Sequence, residues 1–202
     1  MLGNDDAACN EDVLEKHHGT LWGNIRNRRI ALSEGYDVVG YPYVPITPFG
    51  IKDFEKFDTP LGPLPDARLD GLVSGPGGWS RFTFNPADRA SSIETDLQQA
   101  LFCRCPERTI YVFHAPPYGT HLDTLYSGRH VGSRAIRAFV QQQQPHLVLS
   151  GHIHKTVDVS GTYKDSQLGA LCMTASNHPE RVRVAFLLID PDKPELTERI
   201  LA

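Results

Sequence analysis

The chain has few cysteines and no long apolar segment. Its four cysteines, Cys9, Cys103, Cys105 and Cys172, contain no CxxC pair, so we expect reduced thiols and neither a disulfide framework nor a thiolate metal site. The longest apolar run, residues 184–189, is far shorter than the roughly 20 residues that cross a bilayer, and no basic segment followed by an apolar stretch begins the chain. These absences predict a cytoplasmic protein without a membrane partner.

A strong charge of either sign is also lacking. The chain has 20 Lys and Arg residues against 24 Asp and Glu residues, and its formal net charge is −4. No basic stripe stands out, which disfavours nucleic acid as a partner, so any phosphate-bearing ligand has to be attracted by a local cationic site. With 202 residues, 40% of them hydrophobic, the chain is long enough for one core, and we expect a single domain over residues 1–202.

Secondary-structure signals divide the first hundred residues. Residues 11–17 are predicted to form a helix with Asn10 as its N-cap, and residues 29–32 and 36–41 to form a hairpin. Ser91 is spaced from Glu94 as in a capping box, which predicts the start of another helix. Near the other end of the chain, residues 182–189 have the composition of a strand.

Residues 42–86 have an unusual composition. They contain more than half of the chain's 15 prolines together with several glycines and aromatic residues. A disordered linker is poor in aromatic residues, so we expect an ordered, irregular insertion that lies over the rest of the domain. The insertion is either a lid that faces a substrate or a surface loop that its aromatic side chains hold in place.

Two apolar strands each end at a histidine. The predicted strand Thr109–Phe113 is followed by His114, and residues 147–149 are followed by Ser150, Gly151 and the pair His152 and His154. Side chains two residues apart in an extended segment face the same side about 6.6 Å apart, so this pair can address two metals lying about 4 Å from each other. Ser133 is expected to cap a helix that connects the two strands.

The order of three motifs identifies a resemblance. Gly3-Asn4-Asp5-Asp6, then His114 at a strand end, then Gly151-His152-Ile153-His154 resemble the last three motifs of the calcineurin-like metallophosphoesterases, which are GN(H/D)(D/E), H and GHxH. The resemblance covers nearly all of the chain. It implies an α/β fold, a sandwich of two β-sheets flanked by helices, of which this chain covers roughly the C-terminal half. It also implies hydrolysis of phosphate monoesters or diesters at a dinuclear metal centre.

The resemblance assigns a role to each motif residue. Asn4, His114 and His152 are expected to bind one divalent metal and His154 the other, and nitrogen and oxygen ligands of this kind suit Mn, Fe or Zn. Asp5 takes the catalytic position at which many relatives have a histidine that protonates the leaving group. Two nearby cations would lower the pKa of a carboxyl group, so Asp5 is expected to be a poor proton donor near neutral pH.

Other residues after His114 are candidates for the missing functions. His130 and His121 are alternative proton donors, whereas Arg129 and the N-terminus of the helix near Ser133 are candidates for holding a phosphate oxygen. The alternative interpretation of this segment is an ordinary glycine-rich turn with solvated side chains.

The family's two upstream motifs, DxH and GDxxD, have no counterpart before Gly3. The chain therefore carries four of the usual seven protein ligands and lacks the anionic bridge between the metals, and we expect it to bind metal weakly alone. A half sandwich would leave apolar faces uncovered, which predicts self-association or a complementing N-terminal half as partner. The alternatives are a non-catalytic scaffold of the same fold and an inactive, truncated product. The expected substrate is a small phosphate ester.

Overall fold

The protein is described by a computed structural model, which covers residues 1–176 and 185–201. The strands in this part of the chain are β1 (Arg29–Ala31), β2 (Asp37–Tyr41), β3 (Val44–Pro45), β4 (Glu55–Lys56), β5 (Asp70–Gly75), β6 (Gly78–Thr83), β7 (Thr109–Phe113), β8 (Leu147–Ser150), β9 (Lys164–Asp165), β10 (Cys172–Thr174), β11 (Ala185–Leu188) and β12 (Glu198–Leu201). The α-helices are α1 (Glu11–Lys16), α2 (Ile93–Leu97), α3 (Ala100–Cys103), α4 (Arg134–Gln143) and α5 (Thr156–Ser160).

The main element is a six-stranded mixed sheet in the order β1-β2-β7-β8-β10-β9. Its four central strands are parallel, and β1 and β9 lie antiparallel at its two edges. The carboxyl ends of the parallel strands therefore meet at one edge of the sheet, which we call the C-terminal edge. Residues that directly follow Tyr41, Phe113, Ser150 and Thr174 leave the sheet there, so the segments that carry His114 and His152 become neighbours.

One face of the sheet is covered by helices α2, α3 and α4. Alternate strand residues point to this face, so Val39 and Tyr41 of β2 and Tyr111 and Phe113 of β7 belong to its core. The residues of this core are Val39, Tyr41, Val44, Ile93, Leu97, Phe102, Tyr111, Phe113, Ala115, Leu122, Ala135, Ile136, Phe139, Val140, Val148, Leu168, Ala170 and Cys172. The fold is thus mixed α/β, as predicted.

The opposite face of the sheet has a much smaller apolar cluster. Its buried members in the part of the chain that the structure describes are Ile110, Leu147 and Met173. Leu149 packs against this cluster and is half-buried, as is Val112 on the neighbouring strand. The two faces are therefore unequally covered in the described residues.

Helix α4 begins and ends where the sequence predicts. Ser133 is completely buried, and its hydroxyl accepts a hydrogen bond from the backbone N–H of Ile136 at 3.0 Å. The helix ends at Gln144, which adopts a left-handed conformation with φ 47°, directly before Pro145. Since proline cannot continue a helix, the chain turns there and enters β8.

Two predicted caps are wrong. The helix at residues 11–16 forms, but the Asn10 side chain makes no capping hydrogen bond and its backbone is helical (φ −82°, ψ −4°), so a preceding 3₁₀ turn starts this helix. The cap of α2 is Ser92 and not Ser91, and it accepts from the N–H of Thr95 at 3.2 Å. Several adjacent polar residues offer similar caps, and the packing of Ile93 in the core selects between them.

The insertion at residues 42–86 is ordered, but it is not irregular throughout. β5 and β6 form an antiparallel hairpin, and β3 pairs in parallel with β4. A fully buried ion pair, Lys52 Nζ to Glu55 at 2.7 Å, holds the loop between β3 and β4, because both groups also bond to Thr47. The sequence of this hairpin has no alternating apolar pattern that would predict it, because most of its side chains are exposed.

Other predictions have mixed outcomes. The hairpin of β1 and β2 is confirmed, and so is strand β7 over its full predicted length. Of the strand predicted at residues 182–189, the structure gives β11, and residues 182–184 lie outside the described residues. All four cysteines are free. Among the residues that the structure describes, no helix has the length and apolar character needed to cross a bilayer.

The cap of α4 predicts a measurable loss of stability. Ser133→Ala removes the bond to Ile136 N and a second bond to the Asp58 carboxylate, so we expect the free energy of unfolding to fall by about 1–3 kcal/mol. Urea denaturation measures this. Ser80→Ala, at an exposed strand position, is the matched control and should change stability by less than about 0.5 kcal/mol. Equal stability of the two variants would contradict the role of the cap.

Candidate metal centre

The amide oxygen of Asn4 is the point at which three distant segments meet. Asn4 is buried, with 2% of its surface exposed. Its Oδ1 lies 2.9 Å from His114 Nε2 and 2.8 Å from His152 Nδ1. Asn4 Nδ2 donates to Asp5 Oδ1 at 3.1 Å, which fixes the orientation of the amide, so both imidazoles act as donors to Oδ1. Two ring nitrogens and one amide oxygen thus converge at the C-terminal edge of the sheet.

A glycine permits this approach. A Cβ atom added to Gly3 would lie 2.5 Å from His114 Nε2, far inside van der Waals contact. The turn itself is closed by Asp6, whose Oδ2 accepts from Gly3 N at 2.7 Å while its own N–H donates to Gly3 O at 3.0 Å. The glycine and the second aspartate of the first motif therefore shape the backbone that presents Asn4.

His152 sits in a strained turn. Its φ is 61°, a left-handed value that is uncommon outside glycine, and the N–H of Ile153 donates to Gly151 O at 2.6 Å across it. Gly151 N in turn donates to His114 O at 3.1 Å, and His114 N donates to Tyr41 O at 2.9 Å. The turn redirects His152 out of the line of β8 and towards Asn4, and backbone strain of this kind is concentrated at functional sites.

Burial keeps both imidazoles neutral. Loss of solvent is the main cause that lowers the pKa of His114 to about 4, and the nearby carboxylates of Asp5 and Asp6 oppose the shift. Burial, with smaller contributions from the neighbouring His114 and His154, lowers the pKa of His152 to about 3. Near neutral pH neither ring carries a charge, which is the protonation state that a metal ligand requires.

The chemistry of these donors fits a divalent metal, but incompletely. Two neutral imidazole nitrogens and one amide oxygen suit Mn, Fe or Zn once each ring carries its hydrogen on the nitrogen that faces away from Asn4. Within residues 1–176 and 185–201, however, no three His, Cys, Asp or Glu side chains are grouped so that they could hold a metal ion. Asn4, His114 and His152 therefore supply only part of a coordination shell.

The other two motif residues, His154 and Asp5, are not among the groups that meet at Asn4 Oδ1. His154 is exposed, and in the described part of the chain its imidazole has no hydrogen-bond partner. Its backbone oxygen accepts from the Ser176 hydroxyl, which ties the segment after β8 to the end of β10. Asp5 is exposed and accepts from Asn4 Nδ2. The structure brings together three of the predicted site residues and leaves these two facing solvent.

An open cleft of about 1050 Å³ connects the predicted residues. Asn4, Asp5, His152 and His154 line it, and so does the insertion through residues such as Phe49. Ligand sites typically have volumes of roughly 300–1,000 Å³, so the cleft is large enough for a small molecule. Because the insertion forms one wall, its interpretation as a lid over a substrate stays open beside that of an anchored loop.

Only some of the candidate residues after His114 line the cleft. Arg129 and His130 line the cleft, but His121 does not, and its exposed ring bonds instead to Asp165 at 2.8 Å. Arg129 lies 3.9 Å from Asp66, and both side chains are largely exposed, so this pair is weak.

The helix N-terminus near Ser133 is not a phosphate site, and that prediction is wrong. The carboxylate of Asp58 already occupies it, accepting from Ser133 Oγ and from the backbone N–H of Arg134 at 2.7 Å.

Three further cationic side chains line the cleft, and none of them belongs to the motifs or candidate residues of the sequence. Lys155 follows the GHxH motif and lies 5.4 Å from the ring of Tyr126, whereas Arg134 stacks on Tyr118 at 3.9 Å. Arg89 reaches the cleft from the segment between the insertion and α2. Lys155 directly follows His154, and Arg134 directly follows Ser133, so both lie next to residues that the sequence indicates, whereas nothing in the sequence around Arg89 points to the cleft.

Comparisons with known proteins identify the fold only. No family model and no curated protein sequence matches the chain. The chain is similar to one solved crystal structure with a TM-score of 0.57 and 16% identity, over 100% of this chain and 63% of that one. The crystal structure of TT1561 of Thermus thermophilus matches with a TM-score of 0.46 and 18% identity, over 87% of this chain and 57% of that one. The chain thus spans less than two thirds of either protein.

The two depressed histidine pKa values can be measured in the metal-free protein. NMR titration should give imidazole pKa values of about 4 for His114 and about 3 for His152, against an ordinary 6.5. The unfolded chain then binds more protons than the folded one between these values, so the free energy of unfolding should fall as the pH drops below about 6.5. Titration of both rings near pH 6.5 would contradict the buried arrangement.

The close approach at Gly3 makes a second prediction. Gly3→Ala should displace the His114 ring and expose it, so the pKa of His114 should move back from about 4 towards 6.5. Gly77→Ala is the control, because a Cβ there meets nothing within 4 Å. An unchanged His114 titration in Gly3→Ala would show that the ring is not held against the first motif.

Proposed function

We propose that this chain is part of a calcineurin-like metallophosphoesterase that hydrolyses small phosphate esters at a divalent metal centre. The observation that carries the proposal is the convergence of His114 Nε2 and His152 Nδ1 on Asn4 Oδ1. These residues are 110 and 148 positions away from Asn4 in the sequence, yet the three motifs that contain them meet at one point. Convergence of this kind is what the resemblance to the family requires.

The local backbone supports the same proposal. Gly3 allows the close approach to His114, and the turn at His152 aims its ring at Asn4. Neither feature is needed by the core, which lies on the helix-covered face of the sheet. A histidine that serves only the packing would not need a left-handed backbone and a neighbouring glycine to hold it.

A divalent metal held by Asn4, His114 and His152 would supply a water of lowered pKa and would neutralise charge on the phosphate oxygens. Attraction of the phosphate ester to the site depends on the charged side chains that line the cleft. The cleft is lined by the cations Arg89, Arg129, Arg134 and Lys155 and by the carboxylates Asp5, Asp58 and Asp66. This small local excess of positive charge attracts a phosphate ester although the chain as a whole is negatively charged. The site therefore needs no overall basic surface.

The substrate we propose is a small ester with an apolar or aromatic group. The wall of the cleft formed by the insertion includes Ile46, Pro48, Phe49 and Leu64, and the last two are about half exposed at 55% and 51%. An apolar group that covers these side chains gains about 25 cal/mol per Å² removed from water. The phosphoryl group would then lie at the opposite wall, beside His152 and His154.

The family's two-sheet sandwich is part of the proposal. The half-covered face of the main sheet, with Val112 and Leu149, is where a second sheet would pack. The chain spans 63% of the structure that it matches with a TM-score of 0.57. Hydrolysis by a protein of that full length is therefore also part of the proposal. With three converging donors, we expect the chain to bind one metal and to bind it weakly.

A non-catalytic scaffold of the same fold is the second candidate. The observation that favours it is that no three His, Cys, Asp or Glu side chains group as a metal site anywhere in the described residues. A scaffold would use the same cleft for binding, without hydrolysis.

Metal binding and hydrolysis together test the proposal. Equilibrium dialysis against Mn²⁺ or Zn²⁺ should detect one site, and excess Mn²⁺ should support hydrolysis of p-nitrophenyl phosphate or bis(p-nitrophenyl) phosphate. Removing even an outer partner of a metal ligand costs about 10–100-fold, so His152→Ala should lower both readings by at least about 100-fold. His121→Ala is the matched control, since this exposed histidine lies outside the cleft.

The outcomes separate the two candidates. Metal-dependent hydrolysis that persists in His152→Ala would contradict the assigned site. Metal binding without hydrolysis of either ester would favour the scaffold, and the absence of both would refute the proposed function for this chain.

A further inference from the structure

A buried carboxylate organises the loop between β7 and α4. Asp123 has no exposed surface, and it accepts hydrogen bonds from the N–H groups of Gly119, Thr120 and Gly132 at 2.9–3.0 Å. A fourth bond comes from His130 Nδ1 at 2.7 Å. An ionised carboxylate with this many donors is fully satisfied, so its position is fixed.

Asp123 determines which nitrogen of His130 faces the cleft. Because a carboxylate only accepts, His130 Nδ1 carries the hydrogen and Nε2 is left as the other functional atom. The side chain of His130 is 39% exposed, and it lines the same cleft as Asn4 and His152. Pairing of an imidazole with a buried carboxylate through Nδ1 is the arrangement that orients histidines in proton transfer.

The loop that carries His130 is held against the motif after β8. Thr156 is fully buried two residues after His154, and its hydroxyl donates to His121 O at 2.9 Å and accepts from Thr124 N at 3.2 Å. Thr124 in turn forms a β-bridge to His130. The position of His130 relative to the proposed metal centre is therefore fixed by direct contacts.

Gly132 completes the arrangement. A Cβ atom at this position would lie 2.5 Å from Pro116 O and 2.9 Å from Asp123 Oδ2. Only a glycine lets the backbone approach the carboxylate closely enough for the bond from Gly132 N. The glycine-rich sequence around His130 thus serves the Asp123 pair, which explains it better than an ordinary turn would.

We propose that His130 is the general acid of the reaction and that Asp123 is its positioning residue. The inference rests on the proposed function. In its imidazolium form His130 carries a hydrogen on each ring nitrogen, and Nε2 donates its proton to the leaving-group oxygen as the bond from that oxygen to phosphorus breaks with its electron pair. The neutral ring that remains keeps its Nδ1 hydrogen on Asp123. The attacking water oxygen forms the new bond to phosphorus and releases a proton to solvent, from which His130 is reprotonated. Asp5, a carboxylate at the motif position, is then not needed as the proton donor.

The chain contains a matched control for this pair. His121 Nδ1 bonds to the buried carboxylate of Asp165 at 2.8 Å, as His130 does to Asp123, but His121 does not line the cleft. His130→Asn and His121→Asn make the same chemical change. In each, the asparagine amide keeps a donor near the position of Nδ1 and removes the atom that corresponds to Nε2.

The test compares two leaving groups with the full chain and excess Mn²⁺. Phenyl phosphate has a poor leaving group, with a pKa like that of a tyrosine side chain, whereas p-nitrophenol leaves readily as an anion. Because general acid catalysis contributes about 10²–10⁴-fold, His130→Asn should lower kcat for phenyl phosphate by at least about 100-fold and for p-nitrophenyl phosphate by only a few-fold. His121→Asn should leave both rates unchanged. Asp123→Asn should show the same dependence on the leaving group, with KM less affected than kcat.

Each outcome of this experiment bears on the role of His130 or on the proposed function. An equal loss for both esters in His130→Asn, or no loss, overturns the role of His130 while the proposed function stands, because the wild-type chain still hydrolyses them. If the wild-type chain hydrolyses neither ester, the proposed function and this inference fail together. Circular dichroism of each variant checks that it is folded, and should Asp123→Asn unfold, His130→Asn still decides the question.

Discussion

The shared hydrogen-bond acceptor at Asn4 Oδ1 is the contact on which the rest of the site depends. It is available only because the parallel pairing of β7 with β8 sets Phe113 opposite Ser150, so that His114 and His152 leave the sheet side by side. The N-terminal segment then has to reach the same point, and the missing Cβ of Gly3 lets it do so. A shift of one residue in the register would turn one imidazole away from the other.

Burial gives this contact its chemistry. Partial burial of His114 and His152 lowers both pKa values, and the protein thereby keeps two uncharged imidazoles at neutral pH. Two of the carboxylates near the cleft have a structural role. Asp58 bonds to the start of α4 and Asp123 bonds to a loop, so both stabilise backbone that frames the cleft. The positive charge that faces the cleft belongs to arginine and lysine side chains.

The two faces of the main sheet are covered to different extents. The face under α2, α3 and α4 has a closed core, which is sufficient to hold the C-terminal edge of the sheet in place. In the part of the chain that the structure describes, the other face is only partly covered, and Val112 and Leu149 keep some contact with solvent. The site therefore rests on the well-packed half of the sheet, and the proposed second sheet would add to stability and not to the convergence of Asn4, His114 and His152.

The sequence by itself determined the local elements and the identity of the donors. The continuous apolar run of β7, the cap at Ser133 and the motifs around Asn4, His114 and His152 are local patterns, and local physics sets them. Only the tertiary structure decided which groups meet. In the folded chain His154 does not join Asn4, His114 and His152, and the carboxylate of Asp58 bonds to the N-terminus of α4. His130 bonds to Asp123 and lines the cleft, whereas His121 lies outside it. These outcomes depend on contacts between residues far apart in the chain, and no local pattern encodes a distance of that kind.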